Sequence, residues 1–341
     1  MNLKKSLLIA LVLGLVAITS WELYWRSKGY KPELEDNKEL WAVQRSRVQN
    51  ASEDDVILIG DSRMLYDLQL DAWEKETSIR PIQLATAGST PLPIFHDIVH
   101  KTDFQGTILI SVTPDIFFTT SSNSDMSWYR ISARIEHFYD RTYADRLNHL
   151  LDVPLQRTFT FLRNDEEDWT DDLDLKNLLQ NIRLGNREGE PYPPFYRFQS
   201  IELDRNVIQY EKTSTDTVFA NSIIKNWMLD ITSMPDDAGK PEVFDYFNND
   251  LQKYLSRGGR IALIRFPSSG GYRIQEEIKF PRNEFYEKLI AKSKIPSYHF
   301  EDYEALHQYY CPEWSHLSVE DANIFTTDLA RIRLKDQVIN K

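Results

Sequence analysis

Val56-Ile57-Leu58-Ile59-Gly60-Asp61-Ser62-Arg63 is four apolar residues, a glycine, then an acid, a serine and a base. Apolar residues without polar alternation read as a strand covered on both faces, as in a parallel sheet. Four more runs share that character, at residues 82–87, 107–112, 260–266 and 297–300. Helical patterns separate them, at 65–76, 92–100, 243–257, 284–293 and 319–332, and the third of these ends in the helix stop Gly258-Gly259. Alternation of this kind predicts an α/β domain, doubly wound around a mainly parallel five-stranded sheet.

The alternation lapses between the third and fourth runs. Residues 119–240 carry no buried-strand signature, but they contain amphipathic stretches at 128–151 and 219–232 and many aromatic side chains. They read as a largely helical cap inserted into the α/β domain, which itself spans 51–118 and 241–335. The acidic run 165–172 and the prolines 191, 193 and 194 fall in this insertion, and the acids read as a solvated surface.

Ahead of the domain, Lys4 and Lys5 precede an uncharged run from Ser6 to Trp21, and Trp21, Tyr24 and Trp25 follow at its far end. As a helix this stretch rises about 30 Å, the thickness of a bilayer core. The lysine pair suits a cytoplasmic start and the aromatic residues suit the opposite interface. Residues 1–26 are therefore expected as a single-pass anchor in the cytoplasmic membrane, with the C-terminal domain extracytoplasmic. Cleavage near Ala17 and Thr19 is the competing reading. Residues 27–50, polar and charged, read as a stalk, partly helical around Leu40-Trp41.

The 341-residue chain carries a formal charge of −12, which argues against non-specific binding to nucleic acid. Beyond residue 26 it holds 37 bases against 51 acids, so the exported part as a whole should not lie flat on an anionic leaflet. Cys311 is the sole cysteine, so an intramolecular disulfide and a cysteine-based metal site are both excluded. No Walker-type loop and no G-x-G-x-x-G is present.

Three stretches offer chemistry. In an open α/β sheet, ligands bind beyond the carboxyl ends of the strands. Ser62 stands there at a helix start, where free N–H groups favour an anion; the plainer reading is that Asp61 or Ser62 caps the helix. Near the C-terminus, Cys311-Pro312-Glu313-Trp314-Ser315-His316-Leu317-Ser318 places a carboxylate three residues before a histidine. That spacing lets the acid reach Nδ1 while Nε2 points elsewhere. Ala85-Thr86-Ala87-Gly88-Ser89-Thr90 ends the second strand in a glycine, which allows close backbone approach to a ligand.

Gly-Asp-Ser after the first strand, Gly88 after the second and an acid-x-x-His near the end together resemble the SGNH (GDSL-like) hydrolase superfamily, with its flavodoxin-like sheet. The resemblance covers roughly 50–118 and 240–335. It implies Ser62 as nucleophile, His316 as general base and Glu313 as the orienting acid. It also implies the N–H groups of Ser62 and Gly88 as oxyanion donors, and no cofactor. Two positions depart from the pattern. Glu313 stands where the family usually has aspartate. Ser111-Val112-Thr113-Pro114-Asp115 stands where a Gly-x-Asn-Asp block should supply an asparagine donor. The architecture also looks like that of membrane-anchored exopolysaccharide O-acetylation and teichoic-acid D-alanylation proteins. The expected activity is thus an esterase or O-acyltransferase acting on acetyl-type esters of an envelope glycan, with a membrane-bound acyltransferase as a partner. The alternative is an SGNH-fold scaffold that has lost catalysis.

Among the remaining candidates, Arg265 ends the fourth strand and Arg63 adjoins Ser62. Both suit substrate carboxylates or sugar hydroxyls, and both equally suit pairing with an acid. Asp302, at the end of the fifth strand, is the alternative acid. His96 and His100 share one helix face at a metal-binding spacing, but the sequence offers no evident third ligand, so no metal is expected.

Overall fold

A computed structural model describes residues 3–118, 126–163, 193, 195–233 and 240–339. Its strands are β1 (Val56–Ile59), β2 (Ile82–Gln83), β3 (Thr107–Ser111), β4 (Gln199–Ile201), β5 (Val207–Gln209), β6 (Arg260–Arg265) and β7 (Ser297–His299). Five of them form one sheet in the order β2-β1-β3-β6-β7, with every neighbouring pair parallel. Each of the five apolar runs contributes one strand.

The absence of alternation in these runs has a direct cause. Ile57, Ile59, Ile108, Ile110 and Leu263 face one hydrophobic cluster, while Val56, Leu58, Leu109, Ala262 and Ile264 face a second. A sheet covered on both sides needs apolar residues at every position. The anchor-like helix α1 (Leu3–Ser27) is followed by α2 (Lys38–Arg47), α3 (Ser62–Asp67), α4 (Leu70–Thr77) and α5 (Leu92–Lys101). Helices α2, α5 and Lys240–Ser256 cover the first face through Trp41, Phe95 and Phe247. Helices α3, α4 and Val319–Ile339 cover the second through Met64, Trp73 and Phe325.

Three elements differ from expectation. Residues 27–50 are not a free stalk over their second half. Trp41 and Ala42 of α2 are fully buried, and Trp41 Nε1 donates to Leu84 O at 3.0 Å. The helix expected over 65–76 is broken between α3 and α4. There the N–H groups of Gln69 and Leu70 leave the helical ladder and donate to Thr326 Oγ1 and Asn206 Oδ1, both at 2.9 Å.

The insertion is the third. After the short helix α6 (Pro114–Phe117), which closes the preceding part of the α/β domain, it contains α7 (Met126–Asp140), α8 (Tyr143–Gln156) and the helix Thr217–Ser233, but also the antiparallel pair β4–β5. Three-residue strands are too short to leave a periodic signature. The acidic run 165–172 and prolines 191 and 194 lie outside the described residues.

Helix α1 is 25 residues long with a mean hydropathy of 2.0 in its most apolar window, long and apolar enough to cross a membrane. Its end is bonded to the insertion. Glu22 accepts from the N–H groups of Thr160 and Phe161 at 3.1 and 3.3 Å, and Arg26 donates to Thr158 O at 2.8 Å.

Candidate active site

The β1 strand runs into Gly60, whose φ of +154° suits glycine. Close packing excludes any side chain there: a β-carbon would lie 2.5 Å from Ser111 Cβ on β3. Asp61 follows at the N-cap position of α3, but its side chain makes no capping bond. Its Oδ1 accepts instead from Ser111 Oγ at 2.8 Å, which ties the β1 turn to β3. Ser62 is the first residue of α3 and half-buried. The first N–H groups of a helix have no intrahelical partner, so the end of α3 offers donors at this point.

The turn that carries His316 is fastened to the loop after β6. Ser269 N donates to Trp314 O, and Cys311 N donates to Ser269 Oγ, both at 2.9 Å. Trp314 adopts φ +78° and its indole packs on Gly270, where a β-carbon would lie 2.2 Å from the ring nitrogen. Gly270 itself has φ +52°. Gly270→Ala therefore combines left-handed strain with overpacking. We expect it to destabilise the protein by about 3 kcal/mol, measured by urea unfolding, and to change the tryptophan emission as Trp314 is pushed aside.

His316 and Glu313 meet as the spacing suggested. His316 Nδ1 lies 2.9 Å from Glu313 Oε1, and His316 N donates to the same oxygen at 2.6 Å. Two residues of the insertion complete the carboxylate's shell. Gln209 Nε2 donates to Oε1 at 3.3 Å, and Trp227 Nε1 donates to Oε2. Neither was visible in the sequence as a site residue. They come 104 and 86 positions before Glu313, from the hairpin and from the helix Thr217–Ser233. A carboxylate on Nδ1 makes that nitrogen the protonated one and leaves Nε2 as the basic lone pair. His316 Nε2 is buried and has no hydrogen-bond partner among the described residues.

The imidazole stacks on Tyr66 of α3, with ring centroids 4.4 Å apart and 23° between the planes. Tyr66 is four residues after Ser62, so the two lie one turn apart on the same helix face. A second contact fixes the turn to α3: Leu317 N donates to Asp67 Oδ1 at 2.9 Å. Asp67 is wholly buried, and desolvation pushes its carboxyl up to about 7, with the nearby Glu313 charge adding to the rise and His316 opposing it. An acid held above its unfolded pKa contributes stability that is complete below about pH 3.8 and lost as pH rises to about 7. The slope is about 1.4 kcal/mol per pH unit for one such group. Melting temperature should therefore fall over this window, and fall less in Asp67→Asn.

Gly88 has φ +61°, and Arg130 of α7 lies over it: a β-carbon would meet the guanidinium at 3.0 Å. Buried Arg205 braces the approach to this turn. It donates to Gln83 O at 3.0 Å and Ala85 O at 2.9 Å while holding Asp36. Asp115 lies in α6, just beyond β3. Its carboxyl is pushed up to about 7 by desolvation and by the Glu276 and Asp61 charges.

Arg63 and Arg265 are both inside the protein and share one acid, Glu276. Arg63 Nη1 lies 2.7 Å from Glu276 Oε1, and Arg265 pairs with Oε2, as does Ser268 Oγ. Of the two roles read from sequence, the observed contact is the ion pair. Asp302 forks onto Arg282 Nη2 at 2.7 and 2.8 Å near the surface, and the carboxylate on His316 is that of Glu313.

His96 and His100 do acquire a third group that the sequence did not reveal. Asp250, from the helix Lys240–Ser256, meets His96 Nδ1 at 2.9 Å and His100 Nε2 at 2.8 Å. The three candidate ligand atoms lie within 4.8 Å of one another. Lys253 Nζ lies 2.9 Å from His100 Nδ1, so an ammonium already supplies positive charge there, and the cluster serves as a clamp between α5 and that helix. No family model matches the chain, and no curated protein matches it.

Proposed function

We propose that the chain is a membrane-anchored serine esterase or O-acyltransferase of the SGNH type, acting outside the cytoplasmic membrane on acyl esters of an envelope glycan. The observation that carries this reading is the buried Glu313–His316 pair, with Nε2 unpartnered among the described residues, stacked on the helix that Ser62 begins. A structural histidine satisfies both ring nitrogens when buried, because an unpaired polar atom costs about 1–3 kcal/mol. A general base keeps one nitrogen open for a proton.

In this mechanism Ser62 Oγ attacks the acyl carbonyl and His316 Nε2 takes its proton. Glu313 holds the ring and stabilises the imidazolium. The N–H groups of Ser62 and Gly88 receive the oxyanion. The imidazolium then protonates the leaving oxygen, and an acyl-serine remains. Water or a glycan hydroxyl, deprotonated by Nε2, releases the acyl group and restores Ser62. A membrane-bound acyltransferase would supply the acyl group to the transfer reaction.

A scaffold reading draws on one observation: residues 111–115 contain no asparagine to act as an oxyanion donor. The test is a serine-directed fluorophosphonate probe on the detergent-solubilised full chain. A single adduct on Ser62 supports the enzyme. An unlabelled but folded protein supports the scaffold. Lys4 and Lys5 motivate an N-in anchor, so a C-terminal reporter active only after export should work, and an active cytoplasmic reporter would reverse the orientation.

A further inference from the structure

Helix α8 is built inside out. At 100° per residue, Tyr143, Leu147, Leu150, Leu151, Pro154 and Leu155 fall within an arc of about 140°. In a soluble domain that stripe would face the core. Here all six are exposed, Tyr143 by 83%, Leu150 by 69% and Leu151 by 59%. The opposite face is polar and turned inward. Asp145, His149 and Asp152 line a groove with Asn37, Glu39 and His137, whose edge on the stripe side is formed by the exposed Leu151 and Leu155, and Gln156 is buried, accepting from Glu35 N at 2.9 Å. Exposing such a stripe to water is unfavourable by about 25 cal/mol per Å² of apolar area, so a helix with this polarity needs an apolar medium outside it.

The position of α8 says which medium. The three residues that bond to the end of α1, Thr158, Thr160 and Phe161, follow α8 directly. They meet α1 at Glu22 and Arg26, among the aromatic residues Trp21, Tyr24 and Trp25 that suit a membrane interface. Leu162, 40% exposed, continues the apolar surface toward α1. One flank of the stripe carries Arg146 and, just past the helix end, Arg157, both exposed, and no acid is among the exposed residues of α8. Arginine there places its stem along the acyl boundary and its charge among phosphates. The net negative charge of the exported domain does not oppose this, because the outer face of α8 is locally apolar and basic.

We infer that α8 lies in the outer interface of the bilayer beside the anchor, with Tyr143, Leu147, Leu150, Leu151 and Leu155 in contact with lipid. This rests on α1 spanning the membrane. It gives the domain two fixed points at the surface, so that it is held in one orientation rather than tethered.

The experiment uses the full chain in phosphatidylethanolamine–phosphatidylglycerol vesicles, with an environment-sensitive fluorophore on single cysteines placed by Leu150→Cys, Leu155→Cys, Leu11→Cys and Ile278→Cys. The native Cys311 is buried, and the chain without an added cysteine measures its background. Ile278 is the exposed reference, 66% exposed on the helix Gly270–Lys279. Lipid-borne nitroxide should quench the probes at positions 150 and 155 at least about twofold more than that at 278, and should also reach position 11. Quenching at 11 with water-exposed probes at 150 and 155 overturns the inference while leaving the anchor intact, and points to a protein partner on this face. An unquenched probe at 11 overturns the anchor and the inference together.

Discussion

Ser62→Ala should abolish fluorophosphonate labelling and reduce hydrolysis of an activated acetyl ester by at least about 10³-fold. The substitution removes one half-buried hydroxyl at a helix start, so unfolding by urea should be nearly unchanged. His316→Ala should cost about as much, because members of a triad act as a unit and their losses do not add. Glu313→Gln is the more informative change. The carboxylate accepts from His316 N, His316 Nδ1, Gln209 and Trp227. An amide turns one oxygen into a donor, so its nitrogen faces an N–H whichever way it sits. Either the imidazole takes the wrong tautomer or Trp227 is displaced, and activity should fall toward the His316→Ala level. Asp302→Asn should be close to wild type, since its partner is Arg282. Wild-type turnover in Ser62→Ala would remove the nucleophile from the proposal.

How much of this was legible depended on the range of the interaction. The strands were readable because both faces of the sheet are covered, and continuous apolar runs such as 56–59 follow from that. The Glu313–His316 contact was readable because three residues in one turn bring the groups together. Gln209, Trp227 and Asp250 were not, because their partners lie 86 to 154 residues away and nothing local marks them. Arg63 and Arg265 showed as charges at strand ends, but which acid they meet is a property of the packing. Trp41 was read within a partly helical stalk because residues 28–39 and 44–50 around its short apolar patch are mostly polar or charged, although its own side chain is wholly buried. The α8 stripe begins within the amphipathic stretch read at 128–151 and runs past its end to Leu155. Periodicity shows that a helix has two faces and is silent on which one turns inward.

Glu276→Gln should produce the largest loss of stability. The carboxylate sits between two buried guanidiniums, and removing its charge leaves Arg63 and Arg265 inside the protein without their shared counter-ion. Breaking a buried pair in this way costs about 3–5 kcal/mol, whereas replacing an entire pair by apolar groups is often neutral. The double change Arg265→Met with Glu276→Gln should therefore recover part of the loss, a coupling that urea unfolding of both singles and the double measures. The pH dependence supplies a second check. The Arg265 and Arg63 charges and the Ser268 hydrogen bond overcome desolvation and hold Glu276 down at about 2. Its contribution is complete above about pH 4.5, the unfolded value, and disappears as pH falls toward 2. The gap between wild type and Glu276→Gln should close over that acid window. The outcome also decides what the arginines do. A loss below about 1 kcal/mol is the range of solvent-exposed pairs and would free Arg63, next to Ser62, to meet a substrate. A loss of the expected size makes Arg63 a positioning residue, which reaches from the start of α3 to Glu276 and fixes where the serine stands.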